Sequence, residues 1–359
     1  MPVRTSPEGD AQLPMSTPAR ATVSERVVGS ILRWAPLTVS TILTAWIIGA
    51  RPPEAGTDTQ MYARFYEMLG RGPVETRLEP GFVIVSSLAR SVGLPLFGYQ
   101  FLLAMILACA VLVAVWSFWR SIGAKGGWWN FVHCSAAFLL LSPVFSNASI
   151  NAIRQGLASF LIIGGILAVQ RKAWITAIAL SLLATAFHFS SAIFLPFLFV
   201  LGVRPRWQAL ILALHVGAYL SGVTRSLVRA MFPSAYRFVM DYNSYADYEA
   251  GIRWDFALFT FGVYLLLLWS AQFCRSDLRP GYLNCLSVYL VMSLPFFWVG
   301  WGNFSNRYLL PAWLAVSLFA GFLTAYSRIK QFREPAVLLA SVAISVAVFA
   351  HYVANGIVA

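Results

Sequence analysis

Apolar residues along the chain are grouped into long blocks separated by short polar segments. Most blocks hold about 17–25 residues, the length with which an α-helix crosses a bilayer, whereas a transmembrane β-barrel would show short alternating segments. The pattern predicts an all-α, polytopic membrane protein with eleven spans. Their approximate ranges are 34–50, 95–119, 128–146, 150–170, 173–187, 189–203, 207–223, 255–274, 282–300, 307–326 and 336–354.

Three segments do not fit a simple span. Residues 1–33 are polar and rich in Pro, Ser, Thr and Ala, which predicts a disordered cytoplasmic tail before a single transmembrane domain at 34–359. Residues 81–93 are too few to cross a bilayer and predict a re-entrant half-helix that enters from the outer side. Residues 173–203 hold about 30 apolar positions, and the sequence leaves open whether they form one span or two.

Composition and charge support a membrane protein and suggest its orientation. The chain is 59% hydrophobic and 11% charged, against about 45–50% and about 25% in soluble domains, so a soluble globule is excluded. With the N-terminus inside, cations outnumber acids by ten in the inner segments and by two in the outer ones. The net charge of +12 is therefore explained mainly by topology rather than by nucleic acid, and N-in, C-out is predicted. Two long loops, at about 51–94 and 224–254, then face outward, on the periplasmic side.

Two arginines stand where a helix is predicted to begin at the outer surface. Arg154 and Arg307 each fall in the first turn, where a cation is unfavourable because the helix N-terminus is already positive. Since a helix N-terminus and a guanidinium both bind phosphate, two such starts favour a shared anion. The alternative is that both side chains snorkel to lipid phosphates. Neighbouring residues supply possible caps and amide ligands: Ser149, Asn151, Gln155, Ser305 and Asn306.

Three further residues are candidates for acid–base chemistry. His188 lies in an apolar stretch, where an ionisable side chain suggests function, and a histidine can accept a hydroxyl proton near neutral pH. Asp58 and Glu79 lie in the first outer loop, and Glu79 precedes the predicted half-helix, where a carboxylate is favourable. Candidate substrate-binding residues are Tyr62, Arg64, Tyr308 and Arg237. In the second outer loop tyrosines are interleaved with arginines, and aromatic rings with Asp and Asn suit sugar faces and hydroxyls; an interfacial aromatic belt is the alternative for those tyrosines.

Several kinds of site are not indicated by the sequence. The four cysteines form no CxxC pair or zinc-ligand spacing, so no metal site or disulfide framework is predicted. No phosphate-binding loop, HExxH or GxSxG motif occurs, which gives no support for nucleotide or metalloprotease chemistry, and no cofactor is expected.

The order of several short motifs resembles a known family. A short outer helix with Asp58 and Tyr62 is followed by EPGF at 79–82, NAIRQGLA at 151–158 and FHFSS at 187–191. Over roughly residues 40–325 this order resembles the EpsG-like family of bacterial exopolysaccharide polymerases, which have the same role as Wzy-type O-antigen polymerases. Residues that match the family motifs are Asp58, Tyr62, Glu79, Arg154, Gln155, His188 and Arg307.

The resemblance implies a glycosyltransferase of the bacterial inner membrane that acts at the periplasmic face. An oligosaccharide repeat unit on undecaprenyl diphosphate, or the growing chain on it, would be the donor, and another lipid-linked oligosaccharide the acceptor. Arg154 and Arg307, with Gln155 and Asn151, would then bind the diphosphate, and His188, Glu79 or Asp58 would act as base. Membrane lipid surrounds the protein; whether a chain-length copolymerase or a flippase binds it is left open.

Three other functions remain as alternatives from the residues alone. A glycosyltransferase that uses a lipid-phosphate sugar would need an acidic pair, for which Glu54 and Asp58 are available. A membrane O-acyltransferase would be built around His188, but its donor would arrive from the inner face. A non-enzymatic flippase for lipid-linked sugars would need a charged central cavity and two-fold pseudo-symmetry.

Overall fold

The computed structural model describes residues 23–72, 74–241, 250–302, 304–327 and 329–356. These residues form helices joined by short turns, and within them no strand occurs. The α-helices, numbered in chain order, are α1 Val23–Gly49, α2 Thr57–Met68, α3 Pro80–Ser91, α4 Leu96–Ile122, α5 Trp128–Leu140, α6 Pro143–Ile150, α7 Ile153–Gln170, α8 Trp174–Phe187, α9 Pro205–Leu220, α10 Val223–Met231, α11 Pro233–Asp241, α12 Trp254–Ser270, α13 Arg279–Val299, α14 Leu310–Ala325 and α15 Pro335–Ala354. The 3₁₀ segments are Phe189–Val200, Ala271–Phe273, Ser305–Tyr308 and Lys330–Arg333.

The prediction of a polytopic helical membrane protein is confirmed. Within the described ranges, five helices are long and apolar enough to cross a membrane, and seven candidates result if each bent pair of helices counts as one span. Every one of the eleven predicted blocks contains a helical segment, but four of these segments are shorter than a full span. The count of eleven spans and the N-in, C-out orientation therefore remain predictions.

One predicted span is bent, and another is followed by a sharp turn at its end. In 128–146, α5 ends at Leu140 and the chain turns by 82° into α6, which begins with Pro143. A proline fits the first position of a helix but cannot continue the preceding one, because it lacks an N–H. After α9, Gly222 has φ 76 and α10 leaves at 80°, inside the predicted second outer loop.

The region 173–203 forms two helical segments. α8 ends at Phe187, His188 has an extended backbone (φ −159, ψ 111), and the 3₁₀ segment Phe189–Val200 follows. The two segments pack against each other, so the chain folds back at His188. The bend places this histidine between the two segments, as the separate predicted spans 173–187 and 189–203 imply.

The described part of the chain begins inside the predicted tail, and a short helix stands where the half-helix is predicted. Of the predicted tail, residues 1–22 lie outside the described residues, and α1 begins at Val23, earlier than the predicted boundary at 34. The predicted half-helix at 81–93 corresponds to α3, which has 12 residues. Its re-entrant position in a membrane remains a prediction.

Two helices occupy the centre of the protein. Over an apolar stretch of 18 residues, 83% of the residues are buried in α7 and 78% are buried in α13. In α15 the corresponding share is 17%. α7 packs against α4, α6, α8 and α14, so neighbouring helices surround most of it. The first turn of α7 carries Arg154 and Gln155, which positions these two residues from a rigid, central element.

Candidate functional site

A buried carboxylate, Glu79, lies at the centre of a polar cluster. Glu79 as a whole is 6% exposed to solvent. One carboxylate oxygen accepts a hydrogen bond from Arg154 Nη1, and the other lies 2.8 Å from His188 Nδ1. Arg154 Nε also donates to the Tyr62 hydroxyl at 3.0 Å. Residues from α2, α3, α7 and the bend after α8 therefore meet in one network, which we call the Glu79 cluster.

The EPGF motif explains how Glu79 reaches His188. Glu79 is the N-cap residue of α3, and Pro80 occupies the first helical position, which suits its fixed φ. A Cβ atom on Gly81 would lie 2.8 Å from the Ala186 carbonyl oxygen, so only glycine permits this approach of α3 to the end of α8. Glu79 thus stands at the helix start, as predicted, but its side chain makes no capping bond because it turns to Arg154 and His188.

The surroundings of Glu79 favour its charged form. Burial by itself would raise the pKa of the carboxyl group. The hydrogen bond with His188 and the positive charge of Arg154 outweigh burial, so the pKa lies below the usual 4.5. Glu79 is therefore a carboxylate at neutral pH. Burial raises the pKa of Tyr62 to about 12, so its hydroxyl stays protonated beside Arg154.

The position of Arg154 is as predicted, but its caps and partners are not. Arg154 lies in the first turn of α7, yet the cap residue is Ala152, and neither Ser149 nor Asn151 makes a capping bond. The carboxylate of Glu79 offsets the unfavourable interaction of the Arg154 cation with the helix N-terminus. The guanidinium also lies 5.2 Å from the Tyr62 ring centroid. With a side-chain exposure of 13%, Arg154 is bound within the protein instead of being free for an outside anion.

The rest of the IRQG motif connects α7 to α6 and to Arg307. A Cβ atom on Gly156 would lie 2.2 Å from the Ala148 carbonyl oxygen, so the two helices meet backbone to backbone here. Gln155 is 6% exposed, and its Nε2 donates to the Arg307 carbonyl oxygen. The predicted ligands Gln155 and Arg307 are thus adjacent. The Gln155 amide, however, binds the main-chain carbonyl of Arg307.

Arg307 does not begin an α-helix as predicted. It lies in the 3₁₀ segment Ser305–Tyr308, and the cap residue of α14 is Leu309 rather than Ser305 or Asn306. Its guanidinium is 3.6 Å from the Asp58 carboxylate and 4.3 Å from the Phe304 ring centroid. The side chain is 31% exposed, more than twice the exposure of Arg154, so Arg307 is the more accessible of the two guanidinium groups.

A cavity of about 390 Å³ adjoins Arg307. Its polar wall includes Arg307, Asn151 and Gln155, and three aromatic side chains also line it: Phe256, Phe304 and Trp313. Asn147 lines it as well, and its buried Oδ1 has no hydrogen-bond partner among the described residues. This cavity can accept a ligand with both apolar ring faces and hydrogen-bonding groups.

The Glu79 cluster and the cavity are neighbours joined by shared contacts. Glu79, Arg154 and His188 are not among the residues that line the cavity. Asp58 connects the two regions, because its backbone N–H donates to Asn151 Oδ1 at 2.9 Å while its carboxylate pairs with Arg307. The candidate site therefore has two parts, a charged cluster and a cavity with one accessible arginine.

Three predicted substrate-binding residues lie outside both parts. Arg64 is exposed on α2, and Arg237 is exposed on α11. Tyr308 packs against the core beside Arg307 in sequence and does not line the cavity. Only Tyr62 among the four belongs to the Glu79 cluster. For the alternative acidic pair, Asp58 is bound to Arg307 while Glu54 is exposed.

A buried arginine near the site was missed in the sequence. Arg51 is 5% exposed and donates to the carbonyl oxygens of Ile48, at 2.6 Å, and Ile150, at 3.3 Å. Thr59 Oγ1 donates to the same Ile150 oxygen at 3.0 Å. Burial lowers the pKa of Arg51 to about 10, so it remains charged at neutral pH and stabilises the ends of α1 and α6. The available signal was a lone arginine directly after an apolar block and before Pro52.

The family comparison agrees with this arrangement of motifs. A family model described as the EpsG family matches residues 34–358, nearly the whole chain. This protein belongs to the EpsG family. Membership in a polysaccharide polymerase family is consistent with glycosyltransferase activity in a multi-pass membrane protein. Searches of curated proteins and of solved structures gave no match.

Proposed function

We propose that this EpsG-family protein is a polysaccharide polymerase of the bacterial inner membrane that acts at the periplasmic face. It transfers an oligosaccharide repeat unit from undecaprenyl diphosphate onto a lipid-linked acceptor during exopolysaccharide or O-antigen biosynthesis. Family membership supports the reaction class. The observation that carries the proposal is the Glu79 carboxylate, which pairs with His188 and Arg154, while the next residue, Gln155, lines a cavity with the accessible Arg307.

The reaction exchanges one bond for another. An acceptor hydroxyl oxygen attacks C1 of the donor sugar, and the bond between C1 and the phosphate oxygen breaks. Undecaprenyl diphosphate leaves with the electron pair, and the hydroxyl proton passes to a base. The protein therefore has to stabilise a developing anion and accept one proton.

Arg307 is the proposed ligand for the diphosphate. It lines the cavity with Asn151 and Gln155, and its contact with Asp58 is 3.6 Å, longer than a close hydrogen-bonded ion pair. A diphosphate carries more negative charge than one carboxylate and can compete for this guanidinium. Phe256 and Trp313 in the same cavity provide faces against which sugar rings can pack.

His188 is the proposed base, and Glu79 positions it. Because Nδ1 faces Glu79, the ring takes up a proton on its other nitrogen, and the carboxylate stabilises the resulting imidazolium. Glu79 itself is a poor candidate for the base because both of its oxygens already have partners. Arg154 changes role from the predicted diphosphate ligand to the residue that keeps Glu79 ionised and in place.

A reconstituted reaction tests the proposal. The purified protein is supplied with oligosaccharide on polyprenyl diphosphate, and chain length and released lipid are measured. We expect Arg307→Gln and His188→Ala each to reduce chain growth about 100-fold or more, the size found for lost anion stabilisation or lost general base catalysis. Arg64→Gln is the matched control, because it removes an exposed arginine from α2, outside both parts of the candidate site, and it should retain most of the activity.

The released lipid separates the alternatives. With this donor a polymerase releases polyprenyl diphosphate, whereas a flippase releases no lipid carrier. A lipid-phosphate-sugar transferase needs a sugar on polyprenyl monophosphate, supplied in a parallel reaction, and releases the monophosphate. Normal chain growth by folded Arg307→Gln and His188→Ala proteins would refute the site assignment. Release of the monophosphate, or transport without bond formation, would refute the polymerase itself.

A further inference from the structure

A second cationic region lies at the opposite end of α7 from the Glu79 cluster. Arg171 is the C-cap residue of α7, and Arg120 lies in the last turn of α4, which packs beside it. Arg154 stands in the first turn of the same 18-residue helix, so Arg171 is about 25 Å away along the helix axis. This region takes no part in the proposed reaction.

Both arginines line one cavity of about 680 Å³. Four tryptophans line it as well: Trp34, Trp116, Trp128 and Trp129. No Asp or Glu is among its lining residues, and neither arginine forms an ion pair within the part of the chain whose side chains are described. The cavity thus combines two cations and several aromatic rings, with no acidic residue in its wall.

The two guanidinium groups affect each other. Burial lowers the pKa of Arg171, and the positive charge of Arg120 lowers it further. A cation is favourable at the C-terminal end of a helix, and this effect accounts for Arg120 and Arg171 taken one at a time. The effect does not account for two like charges that share a cavity without an acidic residue. A bound anion would neutralise both charges.

An apolar groove on the side of the protein adjoins this cavity. The groove runs between α1, α4 and α5, and Leu37, Leu112 and Val132 line both the cavity and the groove. Along α4 the groove extends from Val115 to Ala104, about 16 Å, which is close to half the thickness of a bilayer's hydrocarbon core, about 15 Å. Its length therefore matches acyl chains of a single leaflet.

We propose that Arg120, Arg171 and this groove form a binding site for an anionic phospholipid. The phosphate of the headgroup lies between the two guanidinium groups, and the tryptophans surround it at the membrane interface, where such rings concentrate. The acyl chains occupy the groove beside Ala108. Free phosphate would satisfy the arginines but would leave the apolar groove unused.

Lipid titration of the purified full-length protein tests this site. Phosphatidylglycerol is added to the protein in detergent, and the unfolding temperature and the bound lipid, by native mass spectrometry, are recorded. Wild-type protein should be stabilised by phosphatidylglycerol but not by phosphatidylcholine or inorganic phosphate. In Arg120→Gln/Arg171→Gln, half-maximal stabilisation should need about tenfold more lipid or higher, since each cation near an anionic lipid contributes about 1 kcal/mol.

Two further variants make the result specific. Lys125→Gln/Lys172→Gln removes two exposed charges from the same end of the protein and should leave the titration nearly unchanged. Ala108→Phe keeps both arginines but fills the groove, and it should weaken lipid binding by a similar factor. This second variant also serves if the double arginine variant does not fold.

Three results would overturn the site. Equal stabilisation by inorganic phosphate would mean a phosphate site without lipid. An equal loss in the lysine control would mean general charge attraction to the lipid. Unchanged binding in Ala108→Phe would mean that the acyl chains lie elsewhere.

Discussion

The two guanidinium groups near the candidate site differ in how they are held. Arg154 is paired with a nearly buried carboxylate and a tyrosine hydroxyl, whereas Arg307 has a longer contact with Asp58 and greater exposure. A buried pair resists separation, because removing one partner leaves an unpaired charge away from water. Arg154 is therefore suited to structure, and Arg307 to binding.

This difference predicts unequal effects of neutralising the two carboxylates. Glu79→Gln should lower the free energy of unfolding by about 3 kcal/mol at pH 7, since it leaves Arg154 without a carboxylate in a buried site. Asp58→Asn should lower it by no more than about 1 kcal/mol, because the contact with Arg307 is long and partly exposed to solvent. Denaturant unfolding in detergent measures both, and equal losses would contradict this view of the two pairs.

The pH dependence provides the control for the same prediction. The folded pKa of Glu79 is below its usual value of 4.5, so its contribution to stability is complete above about pH 4.5 and is lost as the pH falls through the folded value. The difference between wild-type and Glu79→Gln protein should be constant at higher pH and shrink in acid. A difference that shrinks on the alkaline side would contradict the assignment to this carboxyl group.

Residue types could be predicted from the sequence better than their partners. His188, Glu79 and Arg154 were candidates, because ionisable side chains near apolar segments are costly unless they have a function or a partner. Which carboxylate pairs with which arginine could not be predicted, since Glu79 and Arg154 are far apart in sequence and meet only through packing. Arg51 was missed for the same reason, because its acceptors are main-chain carbonyls, which no sequence pattern marks.

At the scale of elements, backbone contacts between helices place the site residues. Gly81 lets α3 approach α8, and Gly156 lets α7 approach α6. In both cases a carbonyl oxygen of the neighbouring helix occupies the space that a side chain would need. Small residues allow such close packing in membrane proteins, and here they lie two residues from Glu79 and from Arg154.

Substituting these glycines should therefore affect activity through position. Gly156→Ala places a Cβ atom 2.2 Å from the Ala148 carbonyl oxygen, so α7 and α6 must move apart and shift Arg154 and Gln155. We expect chain growth to fall at least about tenfold, as small displacements of a site commonly cost that much or more. Gly262→Ala in α12 is the control, since its Cβ would meet nothing within 4 Å, and it should be neutral or slightly stabilising. Equal activity of the two variants, measured in the reconstituted reaction, would argue against a positioning role for Gly156.

The apolar pattern predicted the helices well but not their directions. Each of the eleven blocks contains a helical segment, because a block of apolar residues must satisfy its own backbone hydrogen bonds in lipid. The bends before α6 and α10 were not predicted, whereas the separate spans 173–187 and 189–203 did predict a turn at His188. Hydropathy reports composition over a window, whereas the direction of the chain depends on local turns such as that at Pro143.

At the scale of the whole molecule, the two ends of the bundle carry different chemistry. One end holds the Glu79 cluster and the cavity beside Arg307, which Gly356 also lines at the end of α15. The other end holds Lys125, Arg275 and Arg333 around a second polar cavity, as well as Arg120 and Arg171. The C-terminus of the last helix and the candidate site thus share one end, and the cavities lined by these five cations lie at the other.

This polarity gives a test of orientation that is independent of the reaction. Cationic segments are retained in the cytoplasm, so the end with Lys125 should face inward, and the site and the C-terminus should face the periplasm. In a functional variant without its native cysteines, Arg64→Cys should react with a membrane-impermeant maleimide in intact cells, whereas Lys125→Cys should react only after the membrane is opened. Both positions are exposed, which makes them matched reporters. An alkaline phosphatase fused to the C-terminus should be active, because that enzyme folds only outside the cytoplasm. The reverse labelling pattern would place the Glu79 cluster in the cytoplasm, where a polymerase acting on exported lipid-linked sugars could not reach its substrate.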